Sequence, residues 1–206
     1  MHVSIRAWKD GEPIPREYAF GQIPAEGRFE LGGNLSPEIS WSDAPAGTKS
    51  FALICHDPDV PSSLDDVNQE GKTVSKDLPR VDFFHWVLVN IPADRSSIAK
   101  GEGSDGIVPR GKPPGKKAHG TAGLTNYTDW FKGDPDMEGL YADYDGPCPP
   151  WNDELIHRYI FTVYALDIGK IDTPDGFDGP AALAAIKDHV LGQARYVGTY
   201  TMNRDL

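Results

Sequence analysis

The chain has 206 residues and carries 31 acidic against 20 basic side chains, a formal net charge of -11. A chain of this length and composition, with 39% hydrophobic residues, can bury one sizeable core, so we expect residues 1–206 to form a single domain. The acidic balance opposes the broad phosphate-tracking surface that nucleic acids require, and we therefore expect no nucleic-acid partner.

The N-terminal sequence and the cysteine content indicate the cellular compartment in which we expect the protein. The first residues lack the basic and apolar stretches of a signal peptide, and no apolar run approaches the ~18 residues of a transmembrane helix. Cys55 and Cys148 stand in no CxxC spacing, which predicts neither a disulfide framework nor a zinc site. We expect a cytoplasmic protein with reduced thiols.

Six segments rich in β-branched and aromatic residues predict strands. In chain order they are HVSIRAW, EISWSD, SFALICHD, DFFHWVLVNI, HRYIFTVYAL and ARYVGTYTM. Within them, FALIC, WVLVNI and YIFTVYAL are apolar on both faces, which is typical of neighbouring central strands covered above and below. The chain is therefore predicted to be mainly β.

One amphipathic helix is predicted within about residues 178–194, in GPAALAAIKDHVLG. Asp178 or Gly179 would be its N-cap, and Pro180 suits the first turn. Two segments rich in Gly, Pro, Asp and Lys, 62–81 and 97–145, are expected to be long irregular loops that rim a site.

The stretch CHDPDVPSS places Asp57 and Asp59 where an apolar strand ends. Pro58 and Pro61 restrict the backbone around them, so both carboxylates are expected to be held in a stiff loop. The commoner outcome for such a sequence is a turn in which an Asp side chain accepts a hydrogen bond from a nearby backbone amide. From this segment alone, the turn is the favoured interpretation.

Two predicted strands carry histidine inside apolar sequence, where an unpaired polar group is costly. His85 lies in FFHWVLVNI, and His157 begins HRYIFTVYALD. Alternation along the strand puts His157 and Tyr159 on one face and Arg158 on the other. Each residue alone is more often a buried group satisfied by a carbonyl. Together with the two carboxylates they predict a pocket.

Three segments that contain these residues resemble the phosphatidylethanolamine-binding protein (PEBP) family, and specifically its bacterial Raf-kinase-inhibitor-like branch. The segments are NLSPEISWSDAPAGTKSFALICHDPDVPS, FFHWVLVNIP and YDGPCPPWNDELIHRYIFTVYALD. They follow one another in family order from about Asn34 to Asp167, and the late helix and GTY come after them as in bacterial relatives.

The resemblance implies a PEBP-like fold, with a large antiparallel sheet packed on a smaller one and one main C-terminal helix. It implies a shallow pocket for phosphate, a phospholipid headgroup or a similar anion, with no catalysis and no cofactor. The pocket residues that the matching motifs imply are Asp57, Asp59, His85, His157 and Tyr159, with backbone at Val60 and Gly146. The family name also suggests regulation of a kinase or another enzyme by inhibition, and a homodimer is compatible with the sequence.

An anion beside two aspartates would be repelled unless donor groups stand between them. We therefore expect Asp57 or Asp59 to accept from one imidazole nitrogen, so that the other nitrogen and the Tyr159 hydroxyl donate to the ligand. On this hypothesis anion binding strengthens as pH falls through the ordinary histidine range, near ~6.5.

Two alternatives use the same residue types. A cysteine-dependent hydrolase would take Cys148 as nucleophile and His157 or His85 as base, although Cys148 lies between prolines and lacks an activating helix N-terminus. A metal site from His56, Asp57, His85 and His157 ranks lower, because His56 and Asp57 point to opposite sides of an extended strand. We expect no metal.

Two segments near the expected pocket depart from the family pattern. WNDELI stands where bacterial relatives commonly have a short Gly-rich linker, which leaves the headgroup preference open. The segment RGKPPGKKAHG could steer anions with its basic side chains, although a solvated loop is the commoner interpretation. Those side chains are Arg110, Lys112, Lys116, Lys117 and His119.

Overall fold

The computed structural model describes all of residues 1–206. The strands are β1 (His2–Ile5), β2 (Gly21–Gln22), β3 (Glu30–Leu31), β4 (Ile39–Ser42), β5 (Ser50–Pro61), β6 (Arg80–Pro92), β7 (Ser97–Ile98), β8 (Gly115–Lys117), β9 (Gly120–Ala122), β10 (His157–Leu166) and β11 (Val190–Tyr200). The helices are α1 (Tyr127–Trp130) and α2 (Gly179–Ile186), and a 3-10 turn spans Arg16–Tyr18. Neither α-helix has the length and apolar character needed to cross a membrane.

The strands form a six-stranded antiparallel sheet, a three-stranded sheet and a small hairpin. The large sheet has the order β11-β10-β5-β6-β9-β8, the smaller one β1-β4-β7, and β2 pairs with β3. FALIC, WVLVNI and YIFTVYAL lie in β5, β6 and β10, which are adjacent at the centre of the large sheet. The predicted mainly β class and the pairing of these three strands are confirmed.

The two faces of the large sheet pack against different layers. Residues of one face share a buried cluster with the smaller sheet, among them Leu53, Trp86, Ile39 and Trp41. Residues of the other face pack against α2, among them Ile54, Val87, Ala182 and Ile186. Each fully buried large side chain stabilises the fold by about 1.5–3 kcal/mol. Because both faces are covered, the central strands are apolar on both sides.

The main helix begins as predicted and ends earlier than predicted. The Asp178 carboxylate accepts a hydrogen bond from the Ala181 amide at 2.9 Å, so Asp178 is the N-cap. The helix ends at Ile186, and the residues from Val190 onward pair with β10 instead. The helix thus lies within the predicted range of residues 178–194. Only the residues from Val190 onward were wrongly included in the helical segment, because pairing with the exposed edge of β10 satisfies their backbone groups.

The two segments expected to be irregular differ from each other. Residues 62–79 consist of turns and bends apart from one isolated bridge at Val74, as expected. Residues 97–145 contain β7, β8, β9 and α1, so this segment is not a structureless loop. Its short strands extend the edges of both sheets, and α1 lies beside the cavity described below.

Candidate functional site

A cavity of about 470 Å³ lies at one end of the central strands. Of its 23 lining residues, 15 are hydrophobic, so the wall is mainly apolar. The polar side chains Asp57, His85, His157 and Tyr159 meet at this wall, and Val60 and Cys148 also line it. The structure thus brings together five of the seven residues predicted for the pocket.

Strand pairing explains how residues far apart in the chain reach one place. Ile160 of β10 pairs with His56 of β5 in an antiparallel register. Tyr159 and Asp57 each lie one residue further towards the cavity, on adjacent strands. His157 and Tyr159 are both buried on the same face of β10, and Arg158 between them is exposed, as the alternation predicted. The imidazole centroid of His85 lies 5.1 Å from the Tyr159 ring.

Two β-bulges change which side chains face the cavity. Cys55 pairs with Trp86 while His56 pairs with Phe84, so β6 carries His85 as one extra residue. Further along, Asp57 pairs with Phe83 and Val60 with Val81, which leaves two residues of β5 opposite one residue of β6. A bulge of this kind re-aims the side chains that follow it.

Asp59 and Gly146 do not line the cavity. The Asp59 carboxylate accepts three hydrogen bonds from Arg158, from its backbone amide, Nε and Nη2 at 2.9, 2.8 and 2.7 Å. The Gly146 amide donates to Asn34 Oδ1 at 2.8 Å, and a Cβ at Gly146 would clash with the Tyr18 carbonyl oxygen. The bulge moves Asp59 to the Arg158 face, and glycine at 146 permits a close backbone approach.

The turn that competed with the pocket hypothesis is also present. Asp57 Oδ1 accepts a hydrogen bond from the Asp59 amide at 2.8 Å, which closes a local turn across Pro58. The other oxygen, Asp57 Oδ2, accepts a hydrogen bond from His157 Nδ1 at 2.7 Å. One carboxylate therefore stabilises the turn and lines the cavity at once.

His157 is held between two carboxylates. Its Nδ1 lies 2.7 Å from Asp57 Oδ2, and its Nε2 lies 3.1 Å from Asp153 Oδ2. Ionised carboxylates only accept, so both ring nitrogens carry hydrogen and the ring is an imidazolium. Burial alone would lower the pKa of His157, but the hydrogen bonds to Asp153 and Asp57 outweigh it and raise the pKa to about 9.

Asp153 is the site residue that sequence reasoning missed. It is buried behind His157 and forms a two-point ion pair with Arg80, at 2.6 Å to Nη1 and 3.1 Å to Nη2. Burial would raise the pKa of Asp153, but His157 and Arg80 lower it below its ordinary value. The one feature of the sequence that could have indicated Asp153 is its position in WNDELI, four residues before His157.

His85 has the opposite surroundings. Its Nδ1 lies 2.8 Å from the carbonyl oxygen of Asp145, which can only accept, so Nδ1 carries the hydrogen. Burial lowers the pKa of His85 to about 4, and the ring is neutral above that pH. Its Nε2 is then a lone-pair acceptor without a partner in the protein. The pKa of His85 is lowered to about 4 and that of His157 raised to about 9, so the structure does not support the expected histidine-driven pH dependence near ~6.5.

Tyr159 supplies the donor of the site. Its hydroxyl is buried and has no hydrogen-bond partner in the protein. Burial, followed by the Asp57 carboxylate, raises the pKa of Tyr159 well above its ordinary value, so the hydroxyl keeps its proton. A buried hydroxyl without a partner is costly, and a ligand oxygen could accept from it.

The cysteine-hydrolase and metal-site alternatives each require an arrangement of side chains that the structure does not have. Cys148 lines the cavity, but burial raises the pKa of its thiol to about 12, and it makes no hydrogen bond to either histidine. His56 lies beside Asp82, with 3.9 Å between Nε2 and Oδ1, and does not line the cavity. No group of three or more His, Cys, Asp or Glu side chains is placed to hold a metal ion.

The basic segment makes mostly internal contacts. Lys112 Nζ lies 2.7 Å from Asp145 Oδ1, and His119 Nε2 lies 2.9 Å from Asp143 Oδ2. Arg110 donates to the Pro135 carbonyl and Lys117 to the Pro113 carbonyl. None of these four side chains lines the cavity, so the geometry does not favour the anion-steering interpretation.

Known proteins are similar to this chain in sequence and in architecture. A profile of the family described as phosphatidylethanolamine-binding protein matches residues 4–201. The chain is 33% identical to the UPF0098 protein YbhB of Escherichia coli strain K12, over 94% of this chain and 95% of YbhB. It is 32% identical to a UPF0098 protein of Methanothermobacter thermautotrophicus, over 97% and 98% of the two chains.

A solved structure gives the same result for the fold. The crystal structure of Escherichia coli YbcL, described as a member of the mammalian PEBP family, matches with a TM-score of 0.67 at 27% identity and covers 97% of each chain. These findings confirm the resemblance inferred from the three motifs. Because the family profile spans nearly the whole chain, this chain belongs to the phosphatidylethanolamine-binding protein family.

Proposed function

We propose that this protein binds a small amphipathic ligand without chemical turnover. Its oxyacid headgroup, of the phosphate or phospholipid-headgroup type, would lie against Tyr159, His85 and Asp57, and its apolar part along the hydrophobic wall. The observation that carries the proposal is the buried Tyr159 hydroxyl, which has no partner in the protein and lines the cavity. A ligand oxygen would remove the cost of that unpaired donor.

The size and wall of the cavity support a ligand with an apolar part. A volume of about 470 Å³ lies within the range of small-molecule sites, which combine apolar walls with a few polar groups. The apolar wall includes Phe20, Leu64, Phe83, Phe131, Met137 and Trp151. Phe20 stacks on Tyr127 with 4.6 Å between ring centroids, so part of this wall is ordered by aromatic packing.

The state of the ionisable groups supports binding over hydrolysis. A thiol whose pKa is raised to about 12 by burial is protonated at neutral pH and is a poor nucleophile. His157 already carries two hydrogens and cannot accept a third, so it cannot be a general base. Regulation of a kinase or another enzyme, and a homodimer, stay predictions, because no surface described above argues for a particular partner.

Calorimetric titration of the whole protein with hexyl phosphate and with inorganic phosphate tests the proposal. Hexyl phosphate should bind at least about tenfold more tightly, because each buried methylene contributes about 0.8 kcal/mol. Tyr159→Phe should weaken hexyl phosphate binding by about 1 kcal/mol, the value of one hydrogen bond. Tyr164→Phe, on the other face of β10, is the matched control and should bind like the wild type. Equal affinity for both ligands would contradict the proposal.

A further inference from the structure

We propose that the cavity takes its headgroup in a protonated, hydrogen-bond-donating form, such as the monoanion of a phosphate monoester, and discriminates against the same headgroup without that hydrogen. The inference rests on the function proposed above and specifies the chemical form of the ligand.

The polar end of the cavity, which we define by Asp57, His85 and Tyr159, differs in its numbers of hydrogen-bond donors and acceptors. Tyr159 presents one hydroxyl donor without a partner, and His85 Nε2 presents one lone pair. Asp57 uses one lone pair of Oδ1 for the Asp59 amide and one of Oδ2 for His157, so each oxygen keeps further acceptor capacity. The cavity thus offers more acceptors than donors, and a complementary headgroup must bring a donor hydrogen.

The charged side chains around His157 balance one another. The imidazolium of His157 lies between Asp57 and Asp153, and Asp153 is also paired with Arg80. These four residues carry two positive and two negative charges and leave no cation in excess. A doubly charged headgroup would meet the Asp57 carboxylate without a compensating positive charge, which is unfavourable in a buried site.

Other cations near the site are already paired. Lys112 Nζ lies 2.7 Å from Asp145 Oδ1, and Arg158 forms a two-point pair with Asp59. Neither basic side chain lines the cavity. The polar end therefore selects by hydrogen bonds and not by net positive charge.

Several ionisable groups surround His85, and the effect of their titration on binding must be distinguished from the effect of the ligand's own titration. These groups are Asp57, His157, Tyr127, Tyr159 and Asp145. Burial raises the pKa of Asp145 to about 6 against the opposing effect of Lys112, so this carboxyl titrates in the same range as a phosphate monoester. A test by pH alone would mix the two, and a second ligand that does not titrate is needed.

Hexyl phosphate and hexyl sulfate form such a pair. At about pH 5 both carry one negative charge and the same tail, but only the phosphate has a P–OH hydrogen, because its second pKa is about 6. At about pH 8 the phosphate has lost that hydrogen and the sulfate is unchanged. At the lower pH the two ligands carry the same charge, so the ionisation of the protein affects both alike, and the change in sulfate affinity between the two pH values measures its effect on a singly charged ligand.

Calorimetric titration of the whole protein with both ligands, at about pH 5 and about pH 8, is the experiment. We expect hexyl phosphate to bind about tenfold more tightly than hexyl sulfate at the lower pH, the value of one good hydrogen bond to its P–OH. At the higher pH this preference should disappear or reverse. His85→Phe, which keeps an aromatic ring and removes the acceptor, should reduce the preference at low pH, and His189→Phe, outside the cavity, should not.

The outcomes separate this inference from the proposed function. If both ligands bind but the sulfate is equal or tighter at the lower pH, or if phosphate affinity relative to sulfate rises towards the higher pH, the inference is overturned and the proposed function stands. If neither ligand binds at either pH, the proposed function is overturned and the inference with it.

Discussion

The two histidines of the cavity differ in protonation although both are buried and both line the same wall. His157 lies between two carboxylates and is an imidazolium, with a pKa of about 9. His85 donates from Nδ1 to one backbone carbonyl and is neutral, with a pKa lowered to about 4 by burial. The difference teaches that the partners of a buried imidazole, and not burial as such, decide whether it carries charge.

The two histidines also have different tasks. The imidazolium of His157 forms ion pairs within the protein. It links Asp57 of β5 to Asp153 of the loop before β10. His85 keeps one nitrogen for the cavity. The comparison therefore indicates a structural role for the charged histidine, whereas the neutral one keeps a ring nitrogen facing the cavity.

The largest effect should come from breaking the surroundings of His157. Asp153→Asn removes one of two negative charges and leaves Arg80 and His157 buried with a single carboxylate, Asp57. Removing one partner of a buried ion pair costs about 3–5 kcal/mol, so the free energy of unfolding in urea near pH 7 should fall by that amount. Asp172→Asn, in the exposed pair with Lys170, is the control and should change stability by less than about 0.5 kcal/mol.

Should Asp153→Asn prove as stable as the control, the ion cluster would not stabilise the fold and the imidazolium assignment would lose its support. Proton NMR of the His157 ring offers an independent check. Its pKa should fall in the variant, because one of the two hydrogen bonds that raise it is weakened.

The second prediction uses the opposite pKa shifts. The folded pKa of His157 is raised above its unfolded value of ~6.5, so its stabilisation is present below that pH and is lost as pH rises through about 9. The folded pKa of His85 is lowered, so the unfolded state binds the proton first and stability falls as pH drops from ~6.5 through about 4. Each change is worth about 3 kcal/mol.

Stability measured in urea across this pH range should therefore have a maximum near ~6.5 from these two groups. His85→Phe should reduce the decline on the acid side and leave the alkaline side as in the wild type. A variant that flattens both sides, or neither, would show that the two rings are not independent in the way described.

The smallest effect is expected at Cys148, whose thiol also lines the cavity. Cys148→Ser should change hexyl phosphate affinity by less than about twofold, since the thiol makes no hydrogen bond that a ligand needs. Esterase activity, if any is measured, should be equal in the wild type and the variant, because the thiol is protonated at neutral pH. A loss of turnover in the variant would instead support the hydrolase hypothesis.

Regular patterns in the sequence predicted the regular parts of the molecule. Strand enrichment located β5, β6 and β10, and alternation along β10 correctly placed His157 and Tyr159 on one face. The hypothesis that an aspartate accepts from an imidazole was also right for Asp57 and His157, but its second half was wrong, because the other nitrogen of His157 donates to Asp153 and is not left for a ligand. These features depend on local periodicity and on one pairing that the residue types suggest.

The remaining features depend on irregular or distant structure. The bulge that turns Asp59 towards Arg158 is a property of how β5 pairs with β6, and no local pattern encodes it. The tautomer of His85 is set by a carbonyl 60 residues away at Asp145, and its neutrality comes from burial. The second partner of His157 comes from a loop whose path is set by Arg80, 73 residues before Asp153. Local reasoning does not reach contacts of this range.

The adjacency of β6, β5 and β10 has a consequence for synthesis of the chain. Asp57 and His157 are separated by 100 residues, so their pairing needs contacts of high sequence separation, which form slowly. A nascent chain that has emerged only through β6 already contains Asp57 and His85 but lacks His157 and Tyr159. On the proposed function, a ligand that needs Tyr159 would stabilise only chains in which β10 has docked, and it would not act as a template for the earlier strands.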